Sequence, residues 1–147
     1  MEPPPGYLVV GCDSRPGCGA ALRFAFSEAR VRATHVVIVA AYHRPVDPDL
    51  DEFDTTDQQF REQTESQVEQ LLTRTLGPGR SDLPDYRIVA AEGDPARILV
   101  TEAADAAMIV IGIHDRPLLG RLFRHLTREH ILHACRVPVT IVPPGAP

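Results

Sequence analysis

Five short runs rich in Val, Ile and Ala recur along the chain, each separated from the next by a segment suited to a helix. They are Tyr7 to Gly11 (YLVVG), His35 to Ala41 (HVVIVAA), Tyr86 to Ala91 (YRIVAA), Ala107 to Gly112 (AMIVIG) and Val137 to Val142 (VPVTIV). None alternates apolar with polar residues. A strand that is apolar on both sides must be covered on both faces, which is the signature of a parallel sheet between helical layers. Strand and helix alternating throughout imply a doubly wound α/β sheet with right-handed crossovers.

The intervening segments support this. Ala20 to Ala33 carries Ala21, Leu22, Ala25, Phe26 and Ala29 at helical spacing, and Phe60, Val68, Leu71, Leu72 and Leu76 repeat the pattern. A third helix is announced by "GDPARIL": Asp94 is placed to accept exposed N–H groups as N-cap, and Pro95 suits a first turn because it has no N–H to leave unsatisfied. The fourth is expected from about Arg121 to Cys135. "GPGRSDLP", residues 77 to 84, reads as a connection, and the Pro-rich ends as frayed. The expectation is one domain spanning residues 1–147, long enough to bury a core.

Composition narrows the function classes. A net charge of -5 speaks against generic nucleic-acid binding, which shows as a basic domain. No apolar run approaches the roughly 18 residues of a membrane span, and no basic start precedes an apolar stretch, so a cytoplasmic location is expected. Cys12, Cys18 and Cys135 match no zinc spacing and read as buried thiols of a reducing compartment.

In a doubly wound sheet, ligands sit beyond the carboxyl ends of the strands at the switch point. The loops after strand 1 ("GCDSRPGCG") and strand 4 ("GIHDRPLLGRLFRHL") are therefore the candidate site. Other constellations are weaker. "GCG" at 17 to 19 lacks the third glycine of a dinucleotide fingerprint, because residue 22 is Leu, and no acidic residue closes strand 2. His130 and His133 would need His114 or Asp115 as a further metal ligand, and surface histidines explain them as well, so no metal is expected. Ser14 and Ser27 lack a nucleophile elbow. No pattern assigns an enzyme activity.

Over essentially its whole length the chain resembles the universal stress proteins. The resemblance is carried by "VVGCDS" at 9 to 14, "AALRFAFSEA" at 20 to 29, "EGDPARIL" at 92 to 99, "AADAAMIVIG" at 103 to 112 and "VPVTIVPP" at 137 to 144, in that order and spacing. It implies a Rossmann-like fold of the adenine nucleotide α-hydrolase type: five parallel strands ordered 3-2-1-4-5 with helices on both faces. A homodimer paired through the last strand, here Val137, Val139 and Ile141, is implied too, with a stress-related and mostly non-enzymatic role. One branch of the family binds ATP and another does not.

The ATP-binding branch carries Gly, two residues, Gly, nine residues, then Gly followed by Ser or Thr. Starting at Gly112, the ruler meets Asp115, His125 and Leu126, and counting back from "VPV" gives the same register. Only the first of the four positions survives. The lost glycines would have let backbone N–H groups converge on phosphate oxygens. Asp115 instead sets a carboxylate where a triphosphate must lie, Leu126 lacks a hydroxyl, and Pro117 removes another donor.

Arg116, Arg121, Arg124 and Arg128, with His125, His130 and His133, leave a second reading open, since guanidinium forks bind phosphate well. The reading preferred for the same arginines is a solvated helix face, or partners for the acidic stretch "DPDLDEFDTTD" at 47 to 57 with its six carboxylates. Asp13 contacts adenine in ATP-binding relatives, yet an Asp there also caps its own loop. The candidate nucleotide residues are thus Asp13, Ala41, Gly112, Arg116, His125 and Leu126. The expectation is an interaction module without a cofactor; the alternative is a protein holding ATP, AMP or another anion through its arginine-rich loop. A nucleotide hydrolase or transferase is the third reading, testable by phosphate release.

Overall fold

The computed structural model describes residues 6–12, 18–43, 57–78, 82–112, 136–143 and 145. Within them the order is β1 (Leu8–Gly11), α1 (Cys18–Arg32), β2 (Val36–Tyr42), α2 (Asp57–Leu76), β3 (Tyr86–Glu92), α3 (Pro95–Glu102), β4 (Met108–Gly112) and β5 (Val139–Val142). The strands form one parallel sheet in the order β3-β2-β1-β4-β5. All five strands fall on the apolar runs. The expected helix over 121–135 lies outside the described residues.

Period-two alternation explains why the strands are apolar throughout. Leu8 and Val10 of β1, with Val36, Ile38 and Ala40 of β2, enter a core beneath α1 and α2. Their neighbours Val9, Val37 and Val39 enter a second core with Ala96 and Leu99 of α3. Ile38, Leu22 and Leu72 are fully buried, each contributing roughly 1.5–3 kcal/mol by removal from water. Among the described residues α1 and α2 thus cover one face and α3 the other, the two-sided covering that continuous apolar runs require.

Helix ends follow local chemistry. Asp94 caps α3 through its carboxylate, which accepts from the Ala96 N–H at 3.4 Å, and Pro95 opens the first turn. Gly93 before it has φ +132 and donates its N–H to the Tyr42 carbonyl at 3.2 Å, tying the β3 exit to the end of β2. The α1 terminus differs from expectation. The helix stops at Arg32 because Ala33 turns left-handed at φ 54, and the Thr34 and Ala33 N–H groups then bond the carbonyls of Ala29 and Arg30. That is a Schellman closure built on alanine. α1 also starts at Cys18, two residues before the expected Ala20.

Candidate functional site

The carboxyl ends of β1 and β4 lie side by side at the switch point of the sheet. Val10 pairs with Val110, so Gly112 at the end of β4 stands level with Cys12, and its other neighbour is Val142 of β5. Cys12 is held in place by its N–H, which donates to the Val39 carbonyl at 2.8 Å. Ala41 lies on the same edge, half-buried, paired with Ala91. The fold therefore brings two of the expected site residues, Ala41 and Gly112, to one end of the sheet. Asp13, Arg116, His125 and Leu126 lie outside the described residues, as do Cys135, His114, Asp115 and the other arginines of the loop after β4.

Sequence reasoning passed over the group beside Ala41. The Tyr42 hydroxyl donates to the Asp57 carboxylate at 2.6 Å, and the Tyr42 ring stacks on Phe60 with centroids 6.2 Å apart. Arg61 holds the other carboxylate oxygen of Asp57 at 3.1 Å. The hydrogen bond to Asp57, aided by burial, raises the pKa of Tyr42 above its ordinary value of 10.0. Asp57 is the last of the six carboxylates of the acidic stretch, so the start of α2 is tied to the carboxyl end of β2. "AAYHRP" supplied the tyrosine, but nothing in sequence alone paired it with a residue 15 positions away.

At the edge strand β5, Val137 and Val139 pack against the α3-side core, and Ile141 is half-buried. Pro138 precedes the strand, where its carbonyl accepts from the Ile109 N–H at 2.9 Å. In a parallel ladder whose partner groups alternate, Pro138, Thr140 and Val142 face β4, and the N–H groups of Val139 and Ile141 point away from the sheet. A described groove of about 390 Å³ lies elsewhere, between α2 and the start of β3, lined by Glu62, Glu65, Glu69 and Tyr86. Its carboxylates and its distance from the strands' carboxyl ends make it a poor phosphate site. Among the described residues no group of three or more His, Cys, Asp or Glu could hold a metal, and no helix is long and apolar enough to cross a membrane.

A parallel five-stranded sheet in the order 3-2-1-4-5, with its switch point between β1 and β4, defines a Rossmann-like α/β protein. Residues 7–143 match the model of the universal stress protein family, and the chain belongs to that family. It is 29% identical over 143 residues to a universal stress protein of Mycobacterium tuberculosis, covering 95% of this chain and 46% of the relative. A second from the same organism is 28% identical over 142 residues, with the same coverage. The chain thus spans about half the length of the curated relatives it matches. Among solved structures it is similar to a universal stress protein from Archaeoglobus fulgidus in complex with dAMP, at TM-score 0.63 and 22% identity, covering 93% of this chain and 97% of that one. A universal stress protein in complex with cAMP aligns at TM-score 0.65 and 18% identity, covering 95% and 98%.

Proposed function

We propose that the chain acts as a single universal stress protein unit, a homodimeric stress-response or interaction module that does not bind ATP in the conventional way and does no catalysis. The observation that carries this reading is the motif register. Gly112 ends β4 at the switch point, where a phosphate loop should begin, and the next three signature positions are Asp115, His125 and Leu126. These residues do not fit a triphosphate cradle: a carboxylate stands three residues past the edge glycine, two glycines that would let the backbone approach phosphate closely are replaced, and a hydroxyl donor is lost.

Dimerisation is supported by the position of β5 at the sheet's edge, with two outward N–H groups that a second copy would satisfy. The length of the curated relatives is consistent with this, since more than half of each lies outside the match and is long enough for a second such unit.

Calorimetric titration with magnesium-ATP tests the proposal. No tight one-per-chain isotherm is expected, and one would overturn it. The same titration with AMP addresses the reading in which arginines replace the lost backbone donors. AMP binding that an Arg116→Ala, Arg124→Ala double variant abolishes would put that reading in its place.

A further inference from the structure

We propose that Cys12 and Cys18 are a hydroperoxide-sensitive thiol pair that closes into a reversible disulfide across residues 13–17. Both side chains are buried in the same core, at 5% and 3% exposure, and neither is disulfide-bonded in the structure. Cys12 follows Leu8 and Val10 onto the face covered by α1, and Cys18 opens α1 over that face. The Cys18 thiol donates to the Gly11 carbonyl at 3.6 Å.

That contact bounds the separation. The Gly11 carbonyl oxygen belongs to the peptide unit that ends at the Cys12 Cα, so by standard backbone geometry the Cys18 sulfur lies within roughly 6.4 Å of that Cα. The bound places the Cys18 sulfur beside the Cys12 backbone, and closure requires a side-chain rotation and a shift at the first turn of α1 that bring the Cα atoms to the about 4.4–6.8 Å of a disulfide. Both ends are anchored: Cys12 by its N–H on the Val39 carbonyl, Cys18 by the helix it begins.

The chemistry is complete with a hydroperoxide as oxidant. The Cys18 sulfur, as thiolate, attacks the peroxide oxygen, its proton passing to the departing oxygen. The O–O bond breaks, an alcohol or water departs, and Cys18 becomes a sulfenic acid. The Cys12 sulfur then attacks the Cys18 sulfur, the S–OH bond breaks, water leaves and the S–S bond forms. Two thiols are oxidised and one peroxide is reduced. A small thiol returns the pair to its reduced state by exchange. Burial slows bulky reagents more than a small peroxide, which gives the pair its selectivity. The closed form fixes the two ends of the segment carrying Asp13, whether or not that segment holds a nucleotide.

The test is peptide mapping of the whole protein after hydrogen peroxide and thiol alkylation. Tryptic peptide 1–23 contains both cysteines, because Arg15 precedes Pro16 and resists cleavage. In the oxidised protein it is expected unalkylated and about 2 Da lighter than the dithiol form. Cleavage before Asp13 should leave two peptides joined until a reductant is added. The link should be lost in Cys18→Ser, and a thiol reductant should restore alkylation of the wild-type protein. A wild-type protein whose two cysteines stay singly alkylated or overoxidised, or link to Cys135 instead, overturns the proposal without relying on any variant.

Discussion

Tyr42, the last residue of β2, donates its hydroxyl to the carboxylate of Asp57, the first residue of α2, at 2.6 Å. The acceptor favours the protonated phenol, so the Tyr42 pKa lies above 10.0. A group whose folded pKa is raised contributes its stability below the unfolded value and loses it as pH rises through the folded one. The contact therefore stabilises the fold at neutral pH and weakens only above about pH 10. Its net contribution is small, because the pair is partly solvated. Ultraviolet titration, with Tyr42→Phe to assign the signal, should show the Tyr42 transition above its ordinary value. Asp57→Asn should return that transition toward the ordinary value; an unchanged transition in Asp57→Asn contradicts the contact.

Ala33 closes α1 in a conformation that penalises a Cβ, whereas α2 ends with Gly77 at φ +86. Left-handed backbone costs an alanine about 1 kcal/mol relative to glycine. Ala33→Gly is therefore expected to stabilise the protein by up to about 1 kcal/mol in chemical denaturation, offset in part by the freer unfolded chain. A clear loss of stability would mean that Ala33 does not sit in that region.

At the start of α3 the reverse holds. Gly93 at φ +132 leads into the Asp94 cap, so Gly93→Ala should destabilise by about 1–3 kcal/mol and Asp94→Ala by about 1 kcal/mol. Asp94→Asn or Asp94→Ser, which keep an acceptor, should recover most of the cap. Urea midpoints of the four variants at constant slope provide the check.

Much of this architecture was legible in the sequence for a physical reason. A strand covered on both faces has no freedom to place polar residues, so all five strands appear as apolar runs and are found within two residues of their ends. The Asp94 cap was equally legible, because Gly-Asp-Pro states its own geometry. Ala33 was not, since a left-handed residue normally announces itself as glycine. Neither was Tyr42 with Asp57, because that pairing depends on how α2 returns over β2. Of the candidate site, Ala41 and Gly112 are seen on the expected edge, while Asp13 and the arginine-rich loop lie outside the described residues.

The edge strand yields a separable test of assembly. Because Pro138 and Thr140 face β4, Ile141 directs its N–H outward. Ile141→Pro should therefore leave the β4–β5 pairing largely intact, yet remove a donor that a second copy needs. Light scattering should show a dimer for the parent chain and a shift toward monomer for the variant, with circular dichroism unchanged. A parent chain that is monomeric at all concentrations contradicts dimerisation through β5.

The central claim is that the loop after Gly112 keeps the family's position without its phosphate chemistry. Native mass spectrometry of the protein as purified, before and after addition of magnesium-ATP, tests it most directly. The expected spectrum is a dimer at twice the chain mass with no nucleotide retained. One ATP per chain, surviving buffer exchange, would contradict it.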